Sequence, residues 1–153
     1  MELNPIIKDA LTSINFVSRY EELSQSFTVQ RIPLNQRLIY IDGEMVLEII
    51  AKLGYKATFE PKEKFYKTHD EQIGRFTARV HIILTGGMVD LVWVVSENEE
   101  LLLGSPWGTY SKRLIASNYR IKKPVFGSYD DLEEILKVSF EMYEDFKKEL
   151  KNC

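Results

Sequence analysis

At 153 residues the chain has the length of one domain, long enough to bury a core without disulfides or metals. Its 44% hydrophobic, 28% charged and 12% aromatic residues are those of an ordinary globular protein and exclude a disordered chain. A net charge of -3 argues against a general nucleic-acid binder, and no apolar run approaches the ~20 residues that cross a bilayer.

The lone cysteine, Cys153, forbids an internal disulfide. The start, MELNPIIKDA, has an acid at its second residue and lacks a signal peptide's uninterrupted apolar stretch, so a reducing cytoplasm is the expected compartment. Asn4-Pro5 then opens a helix, with asparagine as cap and proline at the first helical position. Ile7, Ala10, Leu11, Ile14 and Val17 form its apolar stripe. The stripe drifts to Tyr20 and Leu23, which predicts a bend or stop past Ser18 and an edge helix packing by one face. From Val29 to Ile41 the pattern is mixed, and LIYI at 38–41 reads as a short strand or buried extended run. Asp42 caps a second helix carrying Met45, Val46, Ile49, Ile50 and Leu53, and Gly54 supplies its left-handed end.

Tyr55 to Glu60 alternates as a half-exposed strand ended by Pro61. The charged stretch PKEKFYKTHDEQ predicts a solvent-facing loop or long connection. Its His69, Asp70 and Glu71 do not make a metal site, because adjacent loop residues do not converge on one ion and further ligands are missing. The organising stretch is RFTARVHIILTGGMVDLVWVV, Arg75 to Val95, two alternating runs joined by Gly86-Gly87. With the glycines as turn centre, Thr85 faces Met88, Ile83 faces Asp90, His81 faces Val92 and Arg79 faces Val94. The face bearing Ala78, Val80, Ile82, Leu84, Val89, Leu91, Trp93 and Val95 is wholly apolar and must lie on the core. His81 and Asp90 share the other face, near enough diagonally to interact. No nucleophile accompanies them, so they read as a polar strand face and no catalytic residue is assigned.

Ser96 to Glu100 reads as a polar turn, and Leu101 to Leu103 as the next meander strand. Ser105 is placed to cap a short helix, Trp107 to Ser117, with Pro106 at its first position and Leu114 toward the core. Trp107, between Gly104 and Gly108, reads as a buried loop anchor, with a ligand platform as the alternative. Lys112, Arg113, Arg120, Lys122 and Lys123 form an acid-free basic segment interleaved with Tyr119. It is either a solvated face or a contact for phosphate or RNA. Ser128, with Asp130 and Asp131 in the first turn, starts a last helix bearing Leu132, Ile135, Leu136, Phe140, Tyr143, Phe146 and Leu150, with lysines at its end. The expected fold is α+β: an antiparallel meander of about four strands, two N-terminal helices and a long C-terminal helix on the sheet.

The ending SYDDLEEILKVSFEMYEDFKKEL, preceded by the meander and the GSPWG turn in a small acidic chain, resembles small bacterial immunity proteins that neutralise a cognate contact-dependent or polymorphic toxin. The resemblance covers the last third and carries over no site by position. It implies a non-catalytic protein, without cofactor or metal, that binds one toxin domain and covers or distorts its active site. Many such toxins are nucleases with basic grooves, which an acidic face complements. The candidates are Glu97, Glu99 and Glu100 at the meander turn, and Glu133, Glu134, Glu141, Glu144 and Asp145 on the last helix. The alternative is a regulatory domain binding RNA or another phosphate-bearing ligand through Trp107, Arg113, Arg120 and Lys122.

Overall fold

The structure is a computed structural model that describes residues 2–153. In chain order its elements are α1 (Pro5–Ser13), α2 (Phe16–Ser26), a 3₁₀ turn at Leu34–Gln36, and α3 (Gly43–Lys52). Six strands follow: β1 (Ala57–Glu60), β2 (Phe65–Thr68), β3 (Glu71–Ile73), β4 (Phe76–Thr85), β5 (Met88–Glu97) and β6 (Glu100–Leu103). Two helices close the chain, α4 (Trp107–Leu114) and α5 (Tyr129–Lys151). The strands make one antiparallel sheet in the order β1-β2-β4-β5-β6, with β3 also paired to β4.

Gly86 and Gly87 take φ of 61° and 74°, the left-handed values a two-residue primed turn requires. The register is the one the glycines predict, Thr85 opposite Met88 through Arg79 opposite Val94. The apolar face of this hairpin is covered by helices, and Trp93 stacks on Phe146 of α5 at 4.7 Å between ring centroids. Two of the predicted helix starts are capped as expected: Asp42 accepts from the Glu44 amide at 3.0 Å and Ser128 from the Asp131 amide at 3.1 Å. Asn4 likewise accepts from the Ile6 amide.

Four expectations change. The first helix breaks at Asn15, earlier than Ser18, because asparagine tolerates the left-handed φ of 56° there. The chain restarts as α2 with Phe16, Tyr20 and Leu23 buried, so the drifting stripe is two helices. LIYI at 38–41 is not a strand and is only half buried: Leu38 and Ile41 pack against the core, while Ile39 and Tyr40 are exposed. The charged stretch after Pro61 is not a loop but holds β2 and the start of β3, so the sheet has six strands rather than about four. Its alternation is that of a strand, with Tyr66 and Thr68 buried and Lys67 and His69 outside. Finally, Ser105 makes no cap: Pro106 occupies the N-cap position of α4 and the helix ends at Leu114, short of Ser117.

The outer edge of β5 is closed piece by piece. β6 covers Val95 to Glu97 and then departs after a bulge. Beyond it, the Tyr110 hydroxyl accepts from the Trp93 amide at 2.9 Å and donates to the Trp93 carbonyl at 3.1 Å. Asp90 Oδ1 accepts from the Leu91 amide, and the Pro124 carbonyl accepts from the Val89 amide. Each edge amide from Val89 to Trp93 that points away from β4 thus has a partner, as buried backbone demands.

Tyr110→Phe removes one oxygen and strands both polar groups of Trp93 in the core. A loss of about 2–4 kcal/mol in urea unfolding is expected, against under 1 kcal/mol if the hydroxyl is dispensable. Gly86→Ala meets only backbone strain, whereas at Gly87 a Cβ would stand 2.6 Å from Arg37 Cβ. Gly87→Ala should therefore destabilise by about 1 kcal/mol or more beyond Gly86→Ala.

Candidate functional site

The eight candidate carboxylates fall into two groups. Four are committed within the chain: Glu97 to Arg75 (3.2 Å), Glu133 to Lys52 (3.0 Å), Glu144 to Lys147 (2.6 Å) and Asp145 to Arg19 (2.8 Å). Glu99, Glu100, Glu134 and Glu141 are exposed and form no ion pair among the described residues. Glu99 and Glu100 lie at the β5–β6 turn, on the opposite side of the sheet from β1, while Glu134 and Glu141 lie on the outside of α5.

Glu144 belongs to a small internal network. Lys147, only 11% exposed, bridges Glu144 and Glu71 and sits over the rings of Tyr55 and Tyr143. Tyr55 also donates its hydroxyl to Glu144. Burial opposes ionisation of Glu144, but the hydrogen bonds from Lys147 and Tyr55 outweigh it and hold the carboxyl below its ordinary range. The network ties α5 to β3, a structural task that leaves these groups little freedom to meet a partner.

His81 and Asp90 are engaged separately. Arg79 Nε donates to His81 Nε2 at 2.9 Å, and the imidazole stacks on Phe65 at 4.3 Å. Asp90 pairs with Lys123 and caps the Leu91 amide. His69, Asp70 and Glu71 also diverge, with Asp70 on Arg79 and Glu71 on Lys147. Among the described residues no three His, Cys, Asp or Glu side chains gather as a metal ion would require, and no helix is long and apolar enough to cross a membrane.

Of the alternative residues, Trp107 is a core side chain, edge-on to Trp93 at 5.3 Å and to Phe16 at 5.1 Å, so it offers no stacking platform. Arg113, Arg120 and Lys122 are exposed, and none forms an ion pair among the described residues. Tyr119, the aromatic between them, gives its hydroxyl to Glu21.

The surface that stands out lies elsewhere, where the 38–41 run enters α3 beside β1. Tyr40 is 93% exposed, and Ile39, Met45 and Phe59 are exposed with it. Between α3 and β1 a hollow of about 590 Å³ is lined by Ile41, Leu47, Phe59, Tyr66 and Leu84, with Asp42, Glu44 and Lys64 also on its wall. Glu44 and Glu48 are exposed on α3 and form no ion pair among the described residues. Sequence reasoning missed this surface because an apolar run reads as buried; the one available signal was Asp42, whose cap leaves LIYI outside the helix.

Burial, and then the charges of Arg79 and Lys67, lower the His81 pKa to about 4 against Asp70. The unfolded chain, with His81 near 6.5, binds the proton more readily than the fold does between these values. Stability linked to His81 is therefore complete above pH 6.5 and lost as the pH falls toward 4. His81→Gln should narrow the gap between urea midpoints measured at about pH 7 and about pH 5, and an unchanged gap contradicts the assignment.

No family model, curated protein or solved structure matches this chain.

Proposed function

We propose that this protein is a non-catalytic binding protein of the immunity type, which neutralises a toxin domain by forming a stoichiometric complex with it. The carrying observation is the surface at the start of α3, where a 93%-exposed tyrosine, next in sequence to Ile41 of an apolar hollow, accompanies carboxylates that form no ion pair among the described residues. Folded monomers seldom leave contiguous apolar surface exposed, and exposed aromatic anchors ringed by polar groups are the usual makings of a protein interface. The carboxylates of Glu44 and Glu48 on α3 give that surface the sign that complements a basic active-site groove. This shifts the expected contact from the meander turn and the internally paired acids of α5 to α3 and its approach.

A second reading keeps one observation in its favour, the exposed and unpaired Lys112, Arg113, Arg120 and Lys122. Without Trp107 as a platform it is reduced to phosphate attraction, whose mark is a steep dependence on salt. Salt-sensitive affinity for single-stranded RNA that disappears in Arg113→Ala with Lys122→Ala would put this reading first.

The test of the leading reading is co-expression with the product of the gene immediately upstream. The expected results are relief of that product's toxicity and a complex of fixed stoichiometry by light scattering. Tyr40→Ala should leave the unfolding midpoint unchanged, since the side chain touches solvent, yet weaken the complex by about 2 kcal/mol, roughly 30-fold. Full protection of cells by Tyr40→Ala together with Glu44→Lys and Glu48→Lys would refute the assignment of this surface.

A further inference from the structure

The two sides of the sheet are finished differently. Along β5 the outward amides of Val89, Leu91 and Trp93 are met by Pro124, Asp90 and Tyr110, and β6 covers Val95 to Glu97. At the other side β1 is the terminal strand. The His69 amide donates to the Lys56 carbonyl, and Ala57 stands opposite Thr68. Bonded and non-bonded pairs alternate in an antiparallel ladder, so Lys56, Thr58 and Glu60 turn their backbone groups to β2 while Ala57 and Phe59 turn theirs outward. No group among the described residues meets the outward N–H or C=O of Ala57 or Phe59.

This open edge adjoins the hollow. Phe59 shares the core-side face with its cross-strand neighbour Tyr66, at 4.8 Å between ring centroids, but remains 42% exposed. A strand laid against β1 would set alternate side chains beside Phe59, at the edge of the hollow it lines with Ile41 and Leu47. There they meet two carboxylates, Asp42 and Glu44, against one ammonium, Lys64. On the opposite face they meet Lys56, Thr58 and Glu60.

We infer that β1 is a strand-addition site, and that the partner supplies an extended segment alternating apolar with basic residues, seated between β1 and the start of α3. Resting on the binding reading above, this deepens it by naming how the partner is held. Main-chain hydrogen bonds to Ala57 and Phe59 supply affinity, the hollow selects the apolar residues, and the carboxylates select the charge.

The probe is a capped hexapeptide of alternating valine and arginine, added to the full-length isotope-labelled protein at up to about 1 mM. Shift changes are expected at Ala57, Phe59, Glu44 and Leu47, with amide exchange at Ala57 and Phe59 slowed about tenfold while the amides of the ladder residues change little. The same peptide with glutamate for arginine should bind at least about tenfold more weakly. Ala57→Pro removes an amide the ladder does not use, so it should keep the dispersed spectrum of the fold yet abolish the effect. If Ala57→Pro unfolds the chain, Glu44→Gln is the substitute and should weaken binding several-fold.

No response at Ala57 and Phe59, or equal response to both peptides, overturns the inference. So does slow exchange of those two amides in the free protein with a dimer by light scattering, which would make a second copy the occupant. The two proposals fail separately: a peptide response without a complex with the upstream product condemns the immunity reading alone. A complex that leaves the Ala57 and Phe59 amides unprotected and the peptide inert condemns strand addition alone.

Discussion

Trp93 is where the molecule is joined. Its ring lies on Phe146 of α5, edge-on to Trp107 of α4 and to Phe16 at the start of α2. Its amide and carbonyl are both taken by Tyr110. Side chain and backbone of one residue therefore tie the central hairpin to three helices. The arrangement explains why α4 forms at all: eight residues with a glycine at the second position and no side-chain cap make a poor helix in isolation. Trp107 and Tyr110, one turn apart, hold it to the sheet instead, and tertiary packing replaces the local signals that α3 and α5 carry in their sequences.

That division decides what could be read from the chain. The hairpin register was legible because period-two alternation and a two-glycine turn leave one pairing that puts every apolar residue on one side. The helices at Gly43 and Tyr129 were legible because their caps are local. β2 was hidden: Phe65 and Lys67 are the outward half of a narrow strand, and only the neighbouring β4 reveals that Tyr66 and Thr68 are the inward half. The break at Asn15 was legible as a phase drift but not in position, since a single left-handed asparagine leaves no pattern of its own.

The candidate site was less legible, for a reason particular to charge. An acidic residue looks the same in sequence whether it faces water or a distant cation. Asp145 finds Arg19 across 126 residues, Glu133 finds Lys52 across 81, and Glu144 finds the Tyr55 hydroxyl across 89. Three of the eight acidic candidates are thus engaged by pairings that no local window contains. The carboxylates left over on α3, Glu44 and Glu48, are ordinary helix-surface residues in sequence. Their neighbours Tyr40 and Phe59 make them notable, and those neighbours come from either side of the helix.

Three departures from local expectation lie near the start of α3 and β1. In the apolar run 38–41 the middle pair, Ile39 and Tyr40, is in water; an aromatic strand residue, Phe59, faces the core side yet is not fully covered; and its outward backbone groups meet no partner among the described residues. Elsewhere the chain takes care to close such gaps, lending a tyrosine hydroxyl and a carboxylate to the β5 edge. Sequences that fold to one state satisfy their local rules nearly everywhere, and departures concentrate where another requirement competes with stability. Three departures of one kind, apolar surface and open hydrogen-bonding capacity, meet near β1, and the proposed binding surface rests on them.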